Sequence, residues 1–305
     1  MTSVVCVGSA VLDQIYVVSN LPEPDGGAFV TDYYERAGGV AANVACALAT
    51  LDYEATVISR VGRDEESDVV IDSLESFGVE PVLQRGEAPT SYTLILRGPE
   101  GGRMIIAGGD SVPHLRLSAT DEDLLQAAGC VFTSAYAPDP VVRRLVELRR
   151  SGDIETLVFD LSGPLSELRD RGTAPETIDA VAELADLFVT NEVAARSYLD
   201  QEPVDAARTL ADAGAARVAV TNGADGTYLA ADSDEPVFVP AIESDVVDTT
   251  GAGDQFTAAL LHAWVFEGLP PSKAGRIAAR AAAQNCTARG PRGALATRAD
   301  LSDDA

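Results

Sequence analysis

Residues 3–7 form an unbroken apolar, β-branched run, the pattern of a strand buried on both faces. Val40, Val44, Ala47, Leu48 and Leu51 then recur at helical spacing, residues 55–59 read as strand again, and Val70, Ile71, Leu74 and Phe77 trace a second helix with Gly78 placed to end it. Residues 130–134, 157–160, 187–190 and 218–221 are further strand runs, and residues 141–150 are helical between the first two. Such alternation predicts an α/β fold with a central, mainly parallel sheet covered by helices on both faces. Four runs break it: residues 16–18, 28–35, 91–96 and 103–107 look like short strands without intervening helices. They predict a small antiparallel flap inserted into the core, although periodicity alone also allows plain hairpins decorating the sheet. No repeat or low-complexity linker divides the 305 residues, which suffice for one large domain.

Charge changes the picture next. The formal net charge is −26, and Lys273 is the only lysine. Acid enrichment with lysine depletion suggests a cytoplasm of high salt, where screening removes the self-repulsion. The same balance argues against a nucleic-acid partner, because no basic stripe exists to meet phosphates. Cys6, Cys46, Cys130 and Cys286 are widely separated and are expected as buried free thiols. No apolar stretch reaches membrane-spanning length and no secretory leader is apparent, so a cytoplasmic protein without membrane contact is expected.

Chemistry concentrates in residues 246–256, read Val-Val-Asp-Thr-Thr-Gly-Ala-Gly-Asp-Gln-Phe, which run straight into an apolar helical stretch. The small residues Gly251, Ala252 and Gly253 let backbone N–H groups approach an anion, and the helix they open points its positive end at the same place. Asp254 on the first turn is then a base beside developing negative charge, as phosphoryl transfer requires. Asp13 follows the first strand, where ligands bind in open α/β sheets, and reads equally as a hydroxyl acceptor or a turn residue. Gly38 and Gly39 open a helix holding Asn43, a poor helix-interior residue unless its side chain has a partner. Thr221-Asn222-Gly223-Ala224-Asp225-Gly226 turns one strand sharply back into another.

The segment 246–256 resembles the signature of the ribokinase-like carbohydrate kinase family, the PfkB family. The resemblance covers the chain from Val4 to about Leu295 and implies a ribokinase-like domain over residues 1–299. Its lid strands come from about 14–36 and 90–108, and an acidic tail follows at 300–305. It implies an ATP-dependent phosphotransferase acting on a hydroxyl of a sugar or sugar-like acceptor. In that family the last Asp of the signature is the catalytic base, here Asp254, and the N–H groups of Ala252, Gly253 and Asp254 hold the transferring phosphoryl group. Asp13, Gly38, Gly39 and Asn43 are expected to bind the acceptor, and Arg103 is a basic lid residue of interest. Arg97 is expected in a surface salt bridge.

Nucleotide contacts are expected from Asn191, Thr221, Gly223, Gly226, Gly253 and Asn285, the last as a replacement where the family often has Asn and this chain has Arg280. Mg2+ is implied with ATP. However, the family's acid three residues after Asn191 is replaced by Ala194, so Glu192, a water network or chiefly the ATP phosphates themselves are expected to hold the ion. A monovalent cation, K+ or Na+, is implied beside the loop of Asp248 and the segment after Gly290. A nucleoside kinase, with Phe29, Tyr92 or Tyr136 against the base, and a sugar-phosphate kinase anchored by Arg103 remain open on the same scaffold. A non-catalytic ligand-binding regulator is a remoter reading. A homodimer through the lid is a further expectation.

Overall fold

The computed structural model describes residues 2–99, 102–231 and 235–302. Its strands are β1 (Ser3–Val7), β2 (Val11–Val18), β3 (Val30–Gly38), β4 (Glu54–Val61), β5 (Glu80–Arg85), β6 (Tyr92–Arg97), β7 (Arg103–Gly108), β8 (Cys130–Ser134), β9 (Leu157–Asp160), β10 (Leu187–Asn191), β11 (Arg217–Thr221), β12 (Gly226–Ala231) and β13 (Val237–Pro240). The helices are α1 (Val40–Thr50), α2 (Glu65–Ser76), α3 (Ala119–Ala127), α4 (Asp139–Ser151), α5 (Leu165–Leu168), α6 (Pro175–Ala182), α7 (Glu192–Leu199), α8 (Pro203–Ala213), α9 (Ala252–Leu260) and α10 (Pro271–Asn285).

Nine strands form one sheet in the order β13-β12-β11-β10-β9-β8-β1-β4-β5. Its pairs from β11 to β5 are parallel, while β12 and β13 add an antiparallel edge. Strand alternation sends Val4 and Cys6 into a core shared with α1, α9 and α10. Val5 and Val7 go into the opposite core, beneath α3 and α4. Helices on both faces leave no solvated side, which is why the parallel strands read as continuous apolar runs.

A second sheet, in the order β3-β2-β6-β7, is the flap. Two antiparallel hairpin pairs meet at a parallel β2–β6 junction. The strands run further than the apolar pattern suggested. β2 starts at Val11, so Asp13 lies inside a lid strand rather than in the turn after β1, and β3 runs on to Gly38. β5 was not anticipated, because its half-buried residues carry little periodicity. On the lid, Phe29, Tyr33, Met104 and Ile106 are exposed.

All four cysteines are buried and free. Leu301 is buried, so the packed chain continues to that residue; residues 303–305 of the expected tail lie outside the described residues. Among the described residues no helix is long and apolar enough to cross a membrane.

Candidate active site

The carboxyl ends of the sheet strands and the inner face of the lid enclose the candidate site. Asp13, buried on β2, accepts a hydrogen bond from the Thr93 hydroxyl of the neighbouring lid strand β6. A side chain at Gly38 would collide with the Asp13 carboxylate, so this glycine makes room for it. Gly39 has φ of 95°, a left-handed conformation, and precedes α1, whose first N–H, from Val40, donates to Ser9 Oγ at 3.0 Å. This joint aims Asn43, in the first turn of α1, across the site. Its Nδ2 donates to Asp254 Oδ2 at 2.7 Å, while its Oδ1 accepts from Arg292 Nε at 2.9 Å. The partner that an Asn within a helix demands is therefore the Asp254 carboxylate in the first turn of α9.

Arg292 was not foreseen as a site residue; its loop, the segment after Gly290, was expected beside a monovalent cation. It bridges three elements, donating also to Ser73 Oγ of α2 at 2.8 Å and to the Gly38 carbonyl at 3.4 Å. Its positive charge acts on both acids. Burial pushes Asp13 up to about 6, against the Thr93 hydrogen bond and the Arg292 charge, which pull it down. Burial likewise pushes Asp254 up to about 7, opposed by the Asn43 amide and Arg292 and assisted by the charge of Asp13.

Behind Asp254 lies the cradle. Gly251, at φ of 75°, packs so tightly on the Pro291 backbone that any side chain there would collide with it. It opens α9, with Asp254 as the third helical residue. Ala252 N–H turns back to the Thr249 carbonyl at 3.3 Å, whereas those of Gly253 and Asp254 have no partner among the described residues. Two free donors, rather than the expected three, thus lie beside the Asp254 carboxylate.

Asp248 clasps the loop. Its carboxylate accepts from Thr250 N–H at 3.0 Å, Thr250 Oγ1 at 2.8 Å and Gly290 N–H at 3.1 Å. Burial works to raise its pKa, but these donors and Arg97 outweigh it and hold the carboxyl below its usual range. Arg97 reaches from the lid to Asp248 at 3.3 Å and to the Val247 carbonyl. The bridge expected at the surface is instead a link between lid and cradle. Arg103 makes a weaker contact to Thr250 Oγ1 at 3.4 Å. Asn285 is fully buried and donates to the Thr250 carbonyl at 3.0 Å, bracing the loop from behind.

On the other side, Asn191 and Thr221 are register partners at the ends of β10 and β11. The turn after Thr221 is closed by Asn222 N–H to the Gly226 carbonyl at 2.7 Å, with Gly223 at φ of 51° and Gly226 at 136°. Asn191 caps α7: its Oδ1 accepts from Ala194 N–H at 2.9 Å and its Nδ2 donates to the Ser162 carbonyl at 2.7 Å. Glu192 is engaged by Arg196 at 3.0 Å. Asp160, ending β9, had no assigned role; burial, and then the charge of Asp254, push it up to about 8. Its only sequence signal is an acid closing an apolar strand.

Of the aromatic candidates for a base, Tyr92 covers Gly108, and Tyr136 donates to Glu167 at 2.8 Å. Among the described residues no group of three or more His, Cys, Asp or Glu side chains converges as a metal cage. Asp160 is buried and Asp254 partly so; the charge of Asp254 works to raise the Asp160 carboxyl, and a divalent cation bound with nucleotide phosphates would offset it, so the two carboxylates fit magnesium that keeps its phosphate and water ligands.

The geometry thus brings Asp13, Gly38, Gly39, Asn43, Asp254 and Arg292 into one cluster, with Asn191, Thr221 and the glycine turn in a second group along the strand ends. The profile of the pfkB family carbohydrate kinases matches residues 1–298. The ATP-dependent ribose-1-phosphate kinase of Halopiger xanaduensis is 29% identical over 273 residues, spanning 88% of this chain and 86% of that protein. The ribokinase of Bacillus subtilis is 26% identical over 309 residues, 99% of each. The structure of Arabidopsis thaliana ribokinase complexed with ribose and ATP shares the fold, with a TM-score of 0.81 at 23% identity, covering 98% of this chain and 97% of that one.

Proposed function

The chain belongs to the pfkB family of carbohydrate kinases and is an ATP-dependent sugar kinase; on that premise we propose that its acceptor is a pentose of the ribose type, phosphorylated on the hydroxyl that meets Asp254. The observation that carries the phosphoryl-transfer part of this reading is the Asn43–Asp254 contact of 2.7 Å on the first turn of α9, with two N–H groups unpartnered among the described residues beside it. The names of the relatives, ribokinase and ribose-1-phosphate kinase, support the pentose.

In the proposed mechanism Asp13 and Asn43 orient the acceptor through its hydroxyls, and Asp254 takes the proton of the attacking one. The N–H groups of Gly253 and Asp254 stabilise the transferring phosphoryl group. Asp160 is the protein carboxylate that would hold magnesium entering with ATP, and the ion would supply charge neutralisation at the phosphates. The lid, linked to the cradle through Arg97 and Asp248, excludes water so that ATP is not hydrolysed. The test is ADP release from Mg-ATP in molar KCl against pentoses, hexoses, sugar phosphates and nucleosides. Turnover confined to hexoses or nucleosides would refute the pentose.

An acidic limb in kcat/KM with an inflection near 7 is expected, because only the ionised form of Asp254 accepts a proton and its carboxyl sits at about 7. The rate rises as pH climbs through that value. Asn43→Leu removes a hydrogen bond to the charged form, so it should move the limb upward; an unmoved limb would assign the titration to another group.

A monovalent cation would sit among the carbonyls of the 247–250 turn, where Asn285 Oδ1 is buried without a partner. Replacing K+ and Na+ by tetramethylammonium at constant ionic strength should lower turnover, and unchanged turnover removes the cation from the reading. The exposed apolar residues of the lid support pairing with a second copy, which a monomer mass by light scattering in high salt would disprove.

A further inference from the structure

Beside the acceptor site a cleft of about 290 Å³ opens between lid strand β3, helix α2 and the loop 289–293. Arg36, Arg289 and Arg292 line it together with Ser73, and no acidic side chain does. In a chain of net charge −26 this is anomalous. Many arginines elsewhere are held by carboxylates, as Arg144 is by Glu122 at 2.8 Å and Arg208 by Glu235 at 2.8 Å. Among the described residues none of the three cleft arginines has a carboxylate within ion-pair distance. Arg36 only overlies the Tyr34 ring, at 5.7 Å. Arg292 answers electrostatically to Asp13 and Asp254, whereas Arg36 and Arg289 are exposed cations with no carboxylate partner among the described residues, which leaves their forks available to an anion entering the cleft.

Two contacts join this cleft to the reacting centre. Arg36 lies directly across the β2–β3 pair from Asp13, and therefore on the same face of the lid. Arg292 touches Ser73 in the cleft and, through the single amide of Asn43, reaches Asp254. Three of its five N–H donors are committed to protein, leaving two for a ligand. Planar guanidinium forks suit the tetrahedral oxygens of a phosphate monoester.

We infer that Arg36, Arg289 and Arg292 form a phosphate subsite of the acceptor pocket, so that the acceptor is a pentose already phosphorylated at the end remote from the hydroxyl that attacks ATP. This rests on the pentose-kinase reading above and names its substrate class. In the reaction the acceptor oxygen bonds to the γ-phosphorus, the bond from that phosphorus to the β,γ-bridging oxygen breaks, and the hydroxyl proton passes to Asp254. ADP and a pentose bisphosphate leave. The cationic anchor is then this triad rather than the lid residue Arg103, whose contact is Thr250.

The experiment compares ribose 1-phosphate with ribose, in the wild type and in an Arg36→Gln/Arg289→Gln double variant, at fixed ionic strength. The wild type should favour ribose 1-phosphate by roughly 10- to 100-fold in kcat/KM, as expected of charge-assisted hydrogen bonds. The double variant should lose that margin through KM while its kcat/KM for ribose stays unchanged. Inorganic phosphate should compete with ribose 1-phosphate. Equal use of both sugars, preference for ribose, or a variant impaired equally on both overturns the proposal while leaving the pentose kinase intact. Phosphate that alters ribose turnover without competing against ribose 1-phosphate also overturns it, in favour of a separate effector site. If no pentose is turned over, the pentose reading itself fails. Calorimetry with inorganic phosphate then decides the subsite: binding to the wild type but not to the double variant upholds it, and no binding to the wild type overturns it.

Discussion

Asp254→Asn should lower kcat by roughly 10²- to 10⁴-fold, the usual contribution of a positioned general base, while binding of nucleotide and acceptor persists. The carboxylate is the group that Asn43 holds at 2.7 Å beside the free N–H groups of the cradle, and an amide of the same shape keeps the packing but accepts no proton. The variant should also resist denaturation better at alkaline pH. Burial raises the carboxyl from an ordinary 3.8 to about 7, so the folded wild type holds a proton that the unfolded chain has already released. Above pH 7 the wild type must bury a charge that the variant lacks; as pH falls from 7 toward 4 the advantage should vanish. Urea unfolding at pH 8 and pH 5, alongside single-turnover phosphoryl transfer, checks both statements. Activity close to wild type would remove Asp254 from the base role.

Arg292→Met should be the most destabilising single change at the site. Among the described residues its guanidinium is the one cation pulling down the carboxyls of both Asp13 and Asp254, and it ties α1, α2 and the Gly38 carbonyl together. Removing one charged member of a buried set leaves the others uncompensated, at about 3–5 kcal/mol. The loss should depend on pH in a defined direction. Asp13 and Asp254 ionise in the folded wild type near 6 and 7, so both carry charge at pH 8 and both are largely neutral at pH 5.5. The destabilisation should therefore be large at pH 8 and much smaller at pH 5.5. Equal loss at both values would show that Arg292 acts through packing and hydrogen bonds alone. With the charge gone, the acidic limb of kcat/KM should also move upward, since less holds Asp254 in its ionised form.

Much of this was legible along the chain. Val4 to Val7 and Cys130 to Phe132 are apolar on consecutive positions because both faces of a parallel sheet are covered, and that pattern points to the fold class without any contact being known. Residues 246–256 were legible for a different reason: a cradle made of backbone N–H groups and a helix start is built from adjacent residues, so its chemistry is written in a short segment. Asn43 was legible as an unsatisfied helix-interior amide. Asp13 was found, but its setting was misjudged, because β2 begins in residues whose alternation is interrupted by that same acid.

What the sequence by itself determined, then, was the layered α/β class, the flap, the glycine-rich helix start at residues 251–253 and the carboxylate beside it that we propose as the base. Only the tertiary structure decided the company that carboxylate keeps. Arg292 meets Asn43 from 249 positions away, Asn43 meets Asp254 from 211, and Thr93 meets Asp13 from 80. No local pattern encodes such pairs, since each arginine or acid looks alike in the chain. Its ionisation, its partners and its role follow from how far packing removes it from water and which charge is brought beside it.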